Sequence, residues 1–327
     1  MNLNCKVKTE VHTECKKLIS NNKSKPMYYN QDTLVFLDAS WIKASEATTS
    51  LYGQTLHYGN GVFEGIRAYA TSDGPQIFKA KEHFERLKYS AKVMHIPFNY
   101  TVEELIELSY DLLQKNKLED AYIRPLVYQG ENMSLGPASE SHLLLCAWEW
   151  GKFLGDNQIR VMTSSYQRPN PKATHIQAKV VGHYTNSILA STEAKAAGYD
   201  EALLLDAQGF VAEGPGANFF YEKNGALYTC PLGNILSGIT RQTIFELAKE
   251  LDLTIIEKSF IPTDVYKADG AFFTGTAAEV APIKSLDDHT FNKPWEETIG
   301  YKLSHHYQDL VRSYAINFFE TSSNGTK

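Results

Sequence analysis

Long apolar runs are missing from this sequence: no stretch of its 327 residues approaches the roughly 18 consecutive apolar residues that a membrane span needs. A basic excess is missing as well. The chain carries 32 lysines and arginines against 38 aspartates and glutamates, a formal net charge of −6, with no long single-sign run. That balance argues against a nucleic-acid footprint and against a polybasic membrane surface. Cysteine is scarce: Cys5, Cys15, Cys146 and Cys230 lie far apart with no CxxC spacing, which argues against a disulfide framework and against a zinc site. Free thiols are expected. Residues 1–25 are polar and lack the apolar core of a signal peptide, so a cytoplasmic protein is expected. Neither an internal repeat nor a low-complexity tract is seen. With 43% hydrophobic residues, the length is enough for one large or two medium domains with a real core, handling a small soluble partner.

Residues 1–26, rich in Lys, Asn and Ser, show little periodicity and are expected to form an extension. Beyond them the pattern predicts a strand over 33–37 and a helix over 82–94, with Phe84, Leu87, Ala91 and Met94 at helical spacing. Thr101 and Glu104 make a capping box ahead of Leu105, Leu108 and Leu112 on one helix face. Strands follow over 121–129 and 142–150. The Gly-, Asp- and Asn-containing stretch 151–158 is the best candidate for a domain connection. After it come strands over 159–164, 201–205, 218–222 and, through the Asn224-Gly225 turn, 226–229, then 254–257 and 270–274. Helices over 186–197, 240–251 and 295–314 are interleaved. The expected division is an extension at 1–26, a small domain at 27–151, a loop at 152–158 and a large domain at 159–327.

Four places carry candidate chemistry. Lys179 is a lone amine in the uncharged stretch Gln177-Ala178-Lys179-Val180-Val181-Gly182. Desolvation there would disfavour the ammonium and make it a Schiff-base nucleophile; the alternative is an ordinary lysine with its head at the surface. Glu213 precedes a Gly214-Pro215-Gly216 turn that lets backbone approach a ligand closely, and it reads either as a buried carboxylate holding a ring nitrogen or as a solvated turn acid. Ser237-Gly238-Ile239-Thr240 stands ahead of the strongest helix, where free N–H groups and the helix dipole favour an anion such as phosphate. Thr274-Gly275-Thr276-Ala277-Ala278 follows an apolar strand and reads as close packing or as a second phosphate contact. The ten histidines form no metal set: His305 and His306 are adjacent on a predicted helix and cannot share a face, and no metal is expected.

In their order and spacing these motifs resemble the fold type IV pyridoxal-phosphate enzymes, and among them the branched-chain amino-acid aminotransferases. The resemblance also runs through Leu56-His57-Tyr58-Gly59, Val62-Phe63-Glu64-Gly65-Ile66-Arg67, Arg86, Tyr122-Ile123-Arg124-Pro125, Tyr184 and Ala278-Glu279, and so covers nearly everything from residue 27 to the last helix. It implies an α+β fold in two domains: a smaller α/β N-terminal domain and a larger, mixed, barrel-like domain that binds pyridoxal 5'-phosphate. By the same resemblance Lys179 is the catalytic lysine and carries the cofactor as a Schiff base. Arg86, the Ile239 and Thr240 amides and Thr276 hold the phosphate, Tyr184 contacts the ring O3', and Glu213 pairs with the pyridine nitrogen.

Such a site makes chemical sense. A carboxylate keeps the pyridinium charged as an electron sink, while the released lysine amine moves a proton between the substrate α-carbon and the cofactor C4'. The substrate residues implied are Tyr58, Phe63, Arg67, Tyr122, Arg124, Trp150, Phe153 and Ala277. Period-two alternation puts Tyr122 and Arg124 on one strand face. The expected substrates are leucine, isoleucine or valine and 2-oxoglutarate or glutamate, with neither nucleic acid nor membrane as partner. A homodimer is implied, in which residues 132–137 of one subunit reach the other's pocket. Ala217, Phe153 and Val181-Gly182-His183 depart from the pattern of many relatives, which carry an acid, a tyrosine and Gly-Gly-Asn there. Alternatives are a D-amino-acid or amine transaminase, an aminodeoxychorismate lyase, or a non-catalytic binding module of the same fold.

Overall fold

The computed structural model describes residues 28–137, 139–151, 153–155 and 157–313. The expected extension at 1–26, Cys5, Cys15 and Tyr314 lie outside them. Cys146 and Cys230 are free thiols, as expected.

Local signals in the first half fold as read. Thr101 Oγ1 accepts from the Glu104 N–H (3.1 Å) and the Glu104 carboxylate accepts from the Thr101 N–H (2.7 Å), which completes the capping box. This starts the helix Val102–Asn116, which packs beside Ala80–Val93. Phe84, Leu87, Leu105 and Leu112 are buried against Ile66, Ile123 and Leu145 of a seven-stranded sheet. In chain order its strands are β1 (Leu34–Leu37), β2 (Ser40–Lys43), β3 (Gly61–Phe63), β4 (Ile66–Thr71), β5 (Gly74–Ile77), β6 (Ala121–Gln129) and β7 (Ser141–Trp148). They lie in the order β2-β1-β7-β6-β4-β5, with β3 added to β6.

The second sheet has nine strands: β8 (Ile159–Gln167), β9 (Glu201–Leu205), β10 (Val211–Glu213), β11 (Asn218–Lys223), β12 (Ala226–Thr229), β13 (Ile255–Glu257), β14 (Gly270–Gly275), β15 (Glu279–Leu286) and β16 (His289–Thr290). β10 pairs with both β9 and β11, so β8, β9, β10, β11, β14 and β15 close into a ring. Its buried cluster includes Val161, Leu203, Phe219, Tyr221, Phe273 and Ile283. Asn224 and Gly225 both take positive φ (52° and 75°), which is the two-residue hairpin turn their residue types predict. The helices Ile239–Glu250 and Ile299–Ser313 pack on the outside through Ile244, Leu247, Leu303 and Tyr307, a cluster that also takes in Tyr69 and Phe78 from the first half of the chain. The observed mixture of two sheets, one of them a closed barrel, is the expected α+β architecture. The last helix starts at Ile299 rather than 295, because Trp295–Glu297 forms a separate 3-10 turn closed off by the Thr298 hydroxyl, which donates to the Trp295 carbonyl (2.6 Å).

Candidate active site

One end of the barrel carries the candidate chemistry. In the strand register Glu213 stands opposite Asn218, and Asn218 opposite Thr274, so three adjacent strands place these side chains on one rim. The turn between β10 and β11 is closed by Gly214 N–H donating to the Ala217 carbonyl (2.8 Å). Glycine is required at Gly214, because a Cβ there would lie 2.9 Å from the Phe273 ring. Facing the rim is Lys179, whose backbone is tied to the other half of the chain: its N–H donates to Ser90 Oγ (3.0 Å) and its carbonyl accepts from the Phe63 N–H (3.1 Å). Its Nζ donates to Tyr184 Oη at 2.7 Å.

These groups line a single cavity, about 560 Å³ of empty space partly open to solvent. Its walls contain every residue expected at the cofactor: Arg86, Lys179, Tyr184, Glu213, Ile239, Thr240 and Thr276. At one side the helix Ile239–Glu250 begins at Gly238 with no side-chain cap, which leaves its first N–H groups for another acceptor. Arg86 stands beside it, held by Glu64: Nε donates to Oε1 (2.6 Å) and Nη2 to Oε2 (2.9 Å), while Nη1 donates to the Ser237 carbonyl (2.8 Å). Glu64 is fully buried and also accepts from His83 (2.8 Å). Burial alone would raise its pKa, but the Arg86 charge and the bonds from His83 and Arg86 prevail and hold the carboxyl well below the usual range. Burial pushes the His83 imidazole below its ordinary value.

At the opposite side Glu213 accepts from Asn218 Nδ2 (2.9 Å) and Leu236 N–H (3.1 Å), with Arg168 Nε 2.9 Å from Oε1. Burial raises its pKa, and the Arg168 charge is the largest opposing influence. Thr274 Oγ1, also on the wall, is buried without a hydrogen-bond partner among the described residues. An amine next to a phenol, a buried carboxylate, and an arginine beside an open helix N-terminus fit a phosphorylated aromatic aldehyde with a basic ring nitrogen. The residues present therefore fit pyridoxal phosphate.

The residues expected at the substrate extend from this cavity as a chain of ring contacts. Phe63 meets Tyr184 edge-on (4.8 Å), the Arg124 guanidinium lies over Phe63 (4.7 Å), and Arg124 Nη2 donates to Tyr122 Oη (3.3 Å). Tyr122 then meets Trp150 (4.7 Å), and Trp150 meets Phe153 (5.7 Å). Ala277 joins through its carbonyl, which accepts from the Phe153 N–H (3.0 Å). Tyr58 is 47% exposed and donates its hydroxyl to the Met133 carbonyl (3.1 Å).

Arg67 differs from its expected substrate-facing role. Its guanidinium donates to four main-chain carbonyls: Thr276 (3.0 Å), Trp150 (2.9 Å), Gly151 (2.7 Å) and Ala277 (3.2 Å). It is a clasp between two loops, because a buried guanidinium must place its donors and these carbonyls take them. Sequence reasoning gave no role to Glu64 within its motif, to Arg168 or to Asn218. The hydrogen-bonding inventory offers a signal only for Glu64, a carboxylate in an otherwise apolar stretch between β3 and β4 that needs a cation.

The chain resembles proteins of known activity. A family model described as amino-transferase class IV matches residues 61–286. A branched-chain-amino-acid aminotransferase of Pseudomonas aeruginosa is 41% identical over 288 residues, covering 86% of this chain and 94% of that protein. The branched-chain amino acid aminotransferase of Escherichia coli superposes with a TM-score of 0.84 at 33% identity, covering 88% of this chain and 98% of that one. That of Thermobaculum terrenum, solved in its PLP-form, gives 0.81 at 32% identity, with 87% and 95% covered.

Proposed function

This chain belongs to the class IV aminotransferases and, within them, to the branched-chain amino-acid aminotransferases, and on that premise we propose how its own residues carry out the family's reaction. It is a pyridoxal-phosphate-dependent enzyme that exchanges the amino group of leucine, isoleucine or valine with 2-oxoglutarate. The observation that carries this reading is the convergence of the Lys179–Tyr184 pair, buried Glu213, and Arg86 beside an uncapped helix start in one cavity.

When bound, the cofactor supplies an electron-withdrawing ring that accepts the electron pair released at the substrate α-carbon. Arg86, the Ile239 and Thr240 N–H groups and Thr276 would hold its phosphate, Tyr184 its ring hydroxyl and Glu213 its ring nitrogen. Arg86 is turned for this by the Glu64 fork, which occupies one edge of the guanidinium and leaves donors for an anion. Lys179 would hold the cofactor, and its free amine would take the proton from the substrate α-carbon; its bond to Tyr184 keeps the amine aimed into the cavity. Arg124 and Tyr122 receive the second carboxylate of 2-oxoglutarate or glutamate, and Phe63, Trp150 and Phe153 give an aliphatic side chain an apolar wall. Arg67 and Phe153 hold the carbonyls of Thr276 and Ala277 back from the cavity.

The assembly is part of the proposal: a homodimer in which residues 132–137 reach the partner's pocket. Leu135 in that segment is 89% exposed, and Met133 accepts the bond from Tyr58. A fully active monomer at assay concentration would contradict it. Two domains at 27–151 and 159–327, joined through 152–158, and a cytoplasmic location complete the reading; the first is checked by limited proteolysis and the second by cell fractionation. No helix among the described residues is long and apolar enough to cross a membrane. A substrate panel on the purified, cofactor-loaded protein tests the whole. Better turnover of D-alanine or an achiral amine than of L-leucine would overturn it.

A further inference from the structure

Three polar neighbours in the cavity wall surround the Glu213 carboxylate: two donate hydrogen bonds to it, and the third, Arg168, meets it as an ion pair. Leu236 N–H serves Oε1 (3.1 Å), Asn218 Nδ2 serves Oε2 (2.9 Å), and Arg168 Nε lies 2.9 Å from Oε1. The amide of Asn218 cannot be turned round to accept instead, because Nδ2 also donates to the Leu236 carbonyl (3.0 Å), which has no hydrogen to give. A protonated Glu213 would therefore have to donate a hydrogen into a set of donors. Only one of the three neighbours carries a full charge. Arg168 and Glu213 are both buried, and they meet because they flank the same strand: Arg168 N–H donates to the Leu205 carbonyl (2.8 Å), and Glu213 is registered against Leu204 on the other side of β9.

We propose that Arg168 is a positioning residue for the reaction: its guanidinium keeps the Glu213 carboxylate ionised, so that the proton shared between Glu213 and the cofactor ring stays on the ring nitrogen. This rests on the reading that the cavity takes pyridoxal phosphate with its ring nitrogen at Glu213. The physical need is plain in the wall itself. A carboxylate this deeply buried is driven toward its neutral acid, and two neutral donors offset only part of the lost hydration. The other titratable groups acting around it are Lys179 from the facing segment and Cys230 beyond β12. Of these only Lys179 carries a positive charge, and that amine is consumed when the cofactor attaches. Among the described residues, Arg168 is then the fixed cation that Glu213 keeps throughout the reaction. Proton placement on the ring thus depends on a residue that follows β8 and stands outside the lysine motif.

The test loads wild-type, Arg168→Lys, Arg168→Met and Glu213→Gln proteins with pyridoxal phosphate carrying 15N in the ring, and reads the ring shift by NMR. Wild type and Arg168→Lys are expected to show the protonated pyridinium signal, and Arg168→Met to lose it toward that of neutral pyridine. In parallel, the 13C carboxyl signal of Glu213, assigned by its absence in Glu213→Gln, titrates about 1 to 3 units higher in Arg168→Met than in wild type. A folded, cofactor-loaded Arg168→Met protein with the wild-type ring shift and carboxyl midpoint overturns the inference. Should that variant fail to fold, Arg168→Gln, which keeps a donor but loses the charge, is read in the same way; independently, a Glu213 carboxyl found protonated at pH 8 in the wild type also overturns it. If Glu213→Gln itself leaves the ring shift unchanged, the premise about the cavity fails instead, which separates the two.

Discussion

The two sides of the site are held very differently. On the proposed cofactor side the two charged groups Glu213 and Arg86 are each fixed by several partners: Glu213 by Arg168, Asn218 and the Leu236 N–H, and Arg86 by the two oxygens of Glu64 and the Ser237 carbonyl. On the substrate side, Arg124 is held by one 3.3 Å bond to Tyr122 and by the Phe63 ring, while Tyr58 and Phe153 are each 47% exposed. The contrast teaches that the cofactor wall is finished within one chain, where rigid placement lets charges act without reorganising. The proposed substrate wall is left adjustable, which suits a site that must take both an aliphatic side chain and a second carboxylate.

The contrast can be broken or sharpened by substitution. Lys179→Ala removes the one amine in the cofactor wall, and turnover is expected to fall on the order of 10⁴-fold with the fold intact. Borohydride reduction of the loaded wild type should fix a mass adduct on Lys179 in peptide mapping, and an adduct on another lysine would transfer the role there. Glu213→Gln keeps shape and removes a charge. The lost charge-assisted bond is worth about 1.5 to 3 kcal/mol, so kcat should drop roughly ten- to two-hundred-fold while the cofactor still binds. A near-normal rate would take the ring-nitrogen role away from Glu213.

On the adjustable wall the losses should depend on the substrate. Arg124→Ala is expected to slow the half-reaction with glutamate about tenfold more than that with leucine, because only glutamate brings a second carboxylate that loses its charged partner. Single-turnover measurements of the two half-reactions decide this. Equal losses would assign Arg124 to the carboxylate that both substrates share.

The smallest effect concerns His183, which lines the cavity and whose Nε2 lies 2.5 Å from Thr174 Oγ1. Burial, with the Arg168 charge adding to it, lowers its pKa from 6.5 to about 4. The unfolded chain takes up this proton near pH 6.5, whereas the folded protein takes it only near 4. Stability should accordingly fall as the pH drops through that window, with the full penalty present below about 4. His183→Asn should flatten that part of a denaturation-midpoint curve; an unchanged slope would mean that the ring is hydrated in solution.

What could be read beforehand follows the same division between local and distant. The Thr101–Glu104 cap and the Asn224-Gly225 turn depend on residues a few positions apart, and both were visible. β2, β3, β4, β5, β10, β15, β16 and the short helices Gln54–Tyr58 and Pro262–Val265 are not legible in the sequence. β10 has three residues, too few for any period to show, and it exists because β9 and β11 pair with it. The cavity residues were legible as a family pattern, but their support was not. Arg67 reaches carbonyls of Thr276 and Ala277 more than two hundred positions away, and Arg168 meets Glu213 only because β9 comes between them. Nothing in the spacing of an arginine tells whether its fork will face a ligand or a turn of backbone.

Closure of the barrel has a consequence for how the protein behaves in a crowded solution. A ring of six strands presents no edge for a stray chain to extend, so the exposed templates are short. In the open sheet they are β2 and β5, four residues each; the first ends in Lys43, and the second carries Pro75, which has no N–H to offer a newcomer. In the barrel sheet the outer strands are β16, two residues long, and β13, three residues long and ending in Glu257, whose carboxylate is paired with Arg241. The strands that hold the rim of the candidate site are thus the ones that fibril growth by strand addition cannot reach without first opening the barrel.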